Sequence, residues 1–135
     1  MKKLTLVIAL FFCFTAHAAE KVYTQDFVAT IVSIYDGDTI TVDIDGLPEV
    51  FSKAIGIRVY GVDTPEIKGP HKAEAIKARD FVRGICPIGS KVKLTNIRRD
   101  KYFRLDADVV CSGKSVGEEL LKLGMGKAYF GGTSE

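Results

Sequence analysis

Three short stretches of the chain gather residue types that could act on a phosphate ester: Asp36-Gly37-Asp38-Thr39, Arg58-Val59-Tyr60-Gly61-Val62-Asp63-Thr64-Pro65-Glu66, and Asp100-Lys101-Tyr102-Phe103-Arg104. Carboxylates such as Asp38 and Asp63 are hard oxygen donors suited to Ca²⁺. A further carboxylate, Glu66, could accept a proton from water or position that water. Arginines such as Arg58 and Arg104 offer planar, bidentate donors to phosphate oxygens and keep their charge near neutrality. Hydrolysis of a phosphodiester needs an activated water, in-line geometry and compensation of growing negative charge. These residue types supply all three. Each stretch also has a plainer reading. Asp36-Gly37 is a common turn dipeptide, and Asp63-Thr64-Pro65-Glu66 has the form of a helix capping box. Arg58 and Arg104 could be surface ion-pair partners.

Charge along the chain is sorted in the same sense. Between Asp36 and Glu66 stand seven acids, and between Lys91 and Arg104 six bases. A cation-holding half beside a phosphate-holding half is one reading, and two solvated faces the other. The net charge of +2 belongs to Lys2 and Lys3. They precede an apolar run from Leu4 to Phe14 and the small-residue pair of Ala16 and Ala18, the pattern of a secretory signal cleaved after Ala18. The apolar run is about 11 residues, short of the roughly 20 that span a bilayer. Without residues 1–18 the 19 basic side chains fall to 17, equal to the 17 acids, so attraction to a polyanion must be local. An exported protein, periplasmic or secreted, is expected. Residues 19–135 are short enough for one domain.

The elements that must position these residues follow from periodicity. Phe27–Tyr35 is rich in β-branched and aromatic residues and reads as a strand ending at Asp36-Gly37. Thr39–Ile44 alternates as a second strand, and Ile55–Val62 reads as a third, giving an antiparallel meander. Ala75, Ala78, Val82 and Ile85 then share one face of a helix entered near Pro70. Lys91–Ile97 and Phe103–Val110 read as a hairpin around Arg99–Lys101, and Ser115-Val116-Gly117-Glu118 opens a short second helix. The expected fold is mainly β, an α+β five-stranded barrel of the oligonucleotide-binding kind with about two helices.

The three stretches, in this order and at this spacing, resemble the staphylococcal (micrococcal) nuclease family, over nearly the whole chain from about Val28 to Tyr129. The resemblance implies an SNase-like barrel and a Ca²⁺-dependent nuclease that cuts DNA or RNA without regard to the sugar and leaves 3′-phosphate ends. It implies that Asp38, Asp63 and the Thr64 carbonyl hold the Ca²⁺, with Asp36 behind them. It implies that Glu66 acts on water, that Arg58 and Arg104 grip the scissile phosphate, and that Lys101, Tyr102 and Tyr129 touch substrate. Single-stranded nucleic acid acted on by a monomer is expected. The alternative is a noncatalytic nucleic-acid or protein binding module on the same barrel, and a third reading is a purely structural calcium-binding domain. His71, beside Pro70, reads as a surface residue.

Three departures from the family pattern carry expectations of their own. Phe103 stands where glycine precedes the second arginine, so the hairpin tip is expected to take a conformation without positive φ. An insertion around Phe51–Gly56 lengthens the second hairpin, and the archetype's last helix is missing. Cys86 and Cys111 flank the two strands of the basic hairpin and are expected to be bonded in an oxidising compartment.

Overall fold

The computed structural model describes residues 19–101 and 103–131. Residues 1–18, on which the expected signal falls, Tyr102 and residues 132–135 lie outside them. Among the described residues eight strands and three helices follow in the order β1 (Phe27–Ile34), β2 (Thr39–Ile44), α1 (Glu49–Ser52), β3 (Ile55–Val59), β4 (Gly61–Asp63), α2 (Lys72–Ile85), β5 (Lys91–Arg99), β6 (Leu105–Cys111), β7 (Lys114–Ser115), α3 (Val116–Lys122) and β8 (Lys127–Tyr129). β1, β2 and β3 form the antiparallel meander, β5 adds to the free edge of β1, and β6 adds to β5. The sheet closes on itself because β3 also pairs with β6, in parallel, with Arg58 opposite Asp106. The result is a five-stranded mixed barrel, and closure leaves few strand edges unpaired.

Alternation builds the interior. Ile31, Ile34, Ile40, Val42, Ile57 and Leu94 are buried essentially completely. Each contributes roughly 1.5–3 kcal/mol through the surface it removes from water. α2 lays Ala75, Ala78 and Val82 against this core. The small alanines let it sit close, and its last turn is fastened twice. Arg83 donates a 2.9 Å hydrogen bond to the Ile34 carbonyl. Cys86, just past the helix, is disulfide-bonded to Cys111 at the end of β6, with Cα atoms 5.9 Å apart. α3 opens as a capped helix, with the Ser115 hydroxyl accepting from the Glu118 N–H.

Three local features differ from the sequence reading. The stretch read as one strand from Ile55 to Val62 is two strands, broken at Tyr60. Gly61 has φ 82, a region open to glycine, and β4 turns away to pair with β8. The inserted segment contains a one-turn helix, α1, whose exit is held by Asp43. That carboxylate accepts from the Ala54 N–H at 2.9 Å and from Lys53 at 3.0 Å. Finally, Phe103 does not avoid the left-handed region: it has φ 60 and is fully exposed. The turn is closed by Asp100 N–H to the Arg104 carbonyl, 3.0 Å, and Arg104 N–H to the Lys101 carbonyl, 3.2 Å. These two bonds fix a geometry that a non-glycine residue must then accept at some cost.

Candidate active site

The loop from Tyr35 to Thr39 is held at the barrel rim by several contacts. Tyr35 N–H donates to the Thr39 carbonyl at 3.0 Å, which closes the turn. Inside it, Asp36 and Asp38 are only 5% and 3% exposed. Gly37 explains how both acids can be so deep. A Cβ at that position would lie 2.8 Å from the Ala78 Cβ of α2 and 2.8 Å from the Thr64 Cγ2, so only glycine lets loop, helix and the Asp63-Thr64 segment meet. Gly126 performs the same service from below, where a Cβ would come within 2.6 Å of Val62 and 3.0 Å of the Asp63 carbonyl oxygen.

Asp38 is tied directly to the second stretch. Its Oδ2 accepts from the Thr64 N–H at 2.9 Å, and its Oδ1 from the Thr39 hydroxyl at 3.0 Å. Arg58, projecting from β3, spans the two acids, with Nη2 2.8 Å from Asp63 Oδ1 and Nη1 3.6 Å from Asp38 Oδ2. Burial opposes the guanidinium charge, but Asp38 and Asp63 outweigh it and push the pKa up. Asp63-Thr64-Pro65-Glu66 does not open a helix: Asp63 ends β4, and the Glu66 carbonyl accepts from the Gly69 N–H in a tight turn.

Arg104 reaches the same cavity from the hairpin. Its Nε is paired with Asp100, and its aliphatic stem lies over Gly56, where an added Cβ would sit 3.5 Å from Cγ. Burial works against the Asp100 charge, but the Lys101 backbone N–H and Arg104 hold its pKa below the usual carboxylate range. Asp38, Asp63, Glu66, Arg58 and Arg104, with Asp36, thus line a single cavity of about 280 Å³ that also includes Tyr35, Thr39 and Lys68. Tyr35 and Lys68 were not singled out by the sequence reading, because an exposed tyrosine at a strand end and an isolated lysine form no pattern.

Other sequence candidates fall outside this cavity. Lys101 is exposed at the hairpin tip and is not among the lining residues. Tyr129, on β8, lies behind Arg58, whose guanidinium carbon is 5.3 Å from the ring centre. His71 is exposed ahead of α2. The run of acids is also not all one site. Asp43 and Asp45 are taken up by Lys53 and Lys91 at 3.0 Å and 2.8 Å.

The charge balance of the cavity suits a cation. Burial and the neighbouring charge of Asp38 push the Asp36 carboxyl from 3.8 up to about 7, and its buried Oδ1 has no hydrogen-bond partner among the described residues. Among those residues no three His, Cys, Asp or Glu side chains converge as a metal-binding group. The cavity's oxygens nearest Arg58 are the carboxylates of Asp38 and Asp63, hard donors without nitrogen or sulfur, whereas Thr64, the third ligand expected from sequence, is not among the lining residues. Such a set fits Ca²⁺ with waters completing its shell, and does not suit a soft metal.

Residues 56–135 match the family described as Staphylococcal nuclease homologue. The chain is 35% identical over 106 residues to endonuclease YncB of Bacillus subtilis, an overlap covering 75% of this chain and 47% of that protein. It is 32% identical over 104 residues to the thermonuclease of Staphylococcus hyicus, covering 74% of this chain and 58% of that one. It is 37% identical over 82 residues to a staphylococcal-like nuclease of Arabidopsis thaliana, covering 60% and 24%. The chain therefore spans about half the length, or less, of several curated relatives it matches. With the closed barrel and the order of its motifs, the match over 56–135 establishes that this chain belongs to the staphylococcal nuclease family.

Proposed function

We propose that the protein is a Ca²⁺-dependent, sugar-nonspecific nuclease that hydrolyses phosphodiester bonds in DNA and RNA and leaves 3′-phosphate ends. The observation that carries this reading is the convergence of Asp38, Asp63, Glu66, Arg58 and Arg104 on one cavity, from stretches far apart in sequence. A noncatalytic binding module has no need of such a set.

Asp38, Asp63 and the Thr64 carbonyl would hold the Ca²⁺, with Asp36 behind them. Bound there, the ion would supply Lewis acidity toward a phosphoryl oxygen and offset developing charge. Arg58 and Arg104 grip the phosphate from two sides. Each is already oriented by a carboxylate, Arg58 by Asp63 and Arg104 by Asp100, so little reorganisation is needed when charge develops. Glu66, exposed at the cavity rim, accepts the proton of the attacking water or holds that water in line. Tyr129 stacks beside Arg58, Lys101 meets the substrate from the hairpin tip, and Tyr102 takes the substrate-contacting role that the family resemblance implies. Single-stranded substrate suits a cavity this small, since bases that are not paired can splay around its mouth. A monomer suffices, because one chain contributes every group named. Cleavage after Ala18 would release residues 19–135 to the periplasm or the medium, where Cys86 and Cys111 can stay oxidised.

The test is incubation of purified residues 19–135 with single-stranded DNA and excess Ca²⁺, and in parallel with a chelator. Fragments bearing 3′-phosphates in the first reaction and intact DNA in the second are expected. Intact DNA in both would overturn the enzyme reading.

A further inference from the structure

We infer that Tyr35 and Lys68 form a second nucleotide subsite, taking the base and phosphate on the opposite side of the scissile phosphate from Tyr129. This rests on the nuclease reading and extends it along the substrate. Arg58 lines two adjoining hollows. One is the acidic cavity bounded by Tyr35 and Lys68, and the other is a small pocket containing Tyr129, Phe130 and Asp106. A phosphodiester held at Arg58 carries a nucleoside on both of its ester oxygens. One nucleoside can leave toward Tyr129, and the other then leaves through the cavity that Tyr35 and Lys68 help to line.

The two residues have the properties such a subsite needs. Tyr35 is 48% exposed, and it is absent from the hydrophobic core. Its neighbours Ile34 and Asp36 point inward and are buried, so alternation sends the tyrosine ring out. The backbone beneath it is fixed by the Tyr35 N–H to Thr39 bond and by the Arg83 bond to the Ile34 carbonyl. An exposed ring on an immobile base loses little conformational freedom when a nucleobase stacks on it, and stacking tolerates any base. Val28 and Val32, also exposed on β1, do not line the cavity, so exposure along that strand does not by itself account for a tyrosine at its mouth.

Lys68 supplies the charge. The cavity's two arginines are each engaged by a carboxylate, whereas Lys68 forms no ion pair among the described residues. A compact ammonium on a flexible stem contacts a phosphate as a point charge without requiring a fixed approach. The ring and the ammonium together match one nucleotide: a base to stack and a phosphate to neutralise.

The experiment compares a substrate that reaches the subsite with a ligand that does not. Steady-state kinetics on (dT)8 and affinity for thymidine 3′,5′-bisphosphate are measured with Ca²⁺ present for the wild type and for Tyr35→Ala, Tyr35→Leu, Tyr35→Phe and Lys68→Ala. Tyr35→Ala and Tyr35→Leu should raise KM for (dT)8 by about tenfold, as alanine does at other base-stacking aromatics, with kcat changed far less. Tyr35→Phe keeps the ring and should restore KM. Lys68→Ala should raise KM and lower the salt slope by about one. Bisphosphate affinity should stay within about twofold throughout, far less than the loss of a stacking contact. A KM for Tyr35→Ala equal to wild type, an equal loss for both ligands, or failure of Tyr35→Phe to restore KM would each overturn the subsite while leaving the nuclease intact. A wild type that neither binds nor cuts (dT)8 would remove the nuclease reading and the subsite together.

Discussion

The acidic loop at Asp36–Thr39 and the basic tip at Asp100–Arg104 both deliver side chains to one cavity, but they are built in opposite ways. The loop is held by three elements at once. Its own turn bond, the Thr64 N–H on Asp38 and the contact of Gly37 with α2 leave Asp36 and Asp38 almost fully buried. Among the described residues the tip is held mainly by its two turn bonds and the Arg104 pair with Asp100, and it carries a fully exposed phenylalanine in a left-handed conformation. A cation site needs several oxygens at fixed separations, so rigidity there is part of the binding energy. A phosphate-gripping arginine must accommodate a chain that arrives and leaves, and a hairpin tip allows that.

The sharpest way to break the comparison is to remove one carboxylate from each side. Asp38→Asn should weaken Ca²⁺ binding by more than the 10- to 100-fold typical of changes behind a metal's direct ligands, and cleavage should fall with it. Asp100→Asn should leave Ca²⁺ affinity, measured by calorimetry, near wild type while raising KM for DNA. Equal losses of Ca²⁺ affinity would show that the two regions do not divide the work. A smaller effect is expected from Gly37→Ala. Its added methyl must displace Ala78 or Thr64, which should lower stability by about 1–3 kcal/mol in denaturant unfolding.

At the tip the expected change has the other sign. Phe103→Gly removes an exposed side chain from a positive-φ position and should raise stability by about 1 kcal/mol. A destabilised Phe103→Gly protein would mean that the ring makes a contact worth more than the strain. Between the two regions lies Asp106, opposite Arg58 in the barrel seam. Burial and the charge of Asp100 push its carboxyl from 3.8 up to about 6. A carboxyl raised on folding costs nothing below its unfolded pKa and its full penalty above the folded one, so stability should decline through it between about pH 4 and 6. Asp106→Asn should flatten that part of the profile, seen as a smaller fall in Tm from pH 4 to pH 7. An unchanged profile would place the titration elsewhere.

Much of this could be read from the chain because the signals were local. The barrel strands followed from alternation, and α2 from the spacing of Ala75, Ala78 and Val82. The break at Tyr60 is also present in the pattern. Ile57 and Val59 are buried in one phase and Val62 in the other, and a strand can change phase only by slipping one residue. What stayed illegible depends on distant neighbours. Nothing near Gly37 or Gly126 in sequence reveals that Ala78, Val62 and Thr64 press against them. That Asp43 and Asp45 are neutralised by lysines, and that Tyr35 and Lys68 border the same hollow, emerges only when the barrel closes.

The central claim is that the cavity stabilises a reacting phosphate more than a resting one. It is tested most directly by measuring kcat on single-stranded DNA and affinity for thymidine 3′,5′-bisphosphate in Glu66→Gln and Arg58→Lys beside the wild type. The account predicts kcat reduced by about 10²-fold or more with nucleotide affinity within a few-fold of wild type. Equal losses of turnover and affinity in both variants would contradict it, because the residues would then be holding substrate uniformly.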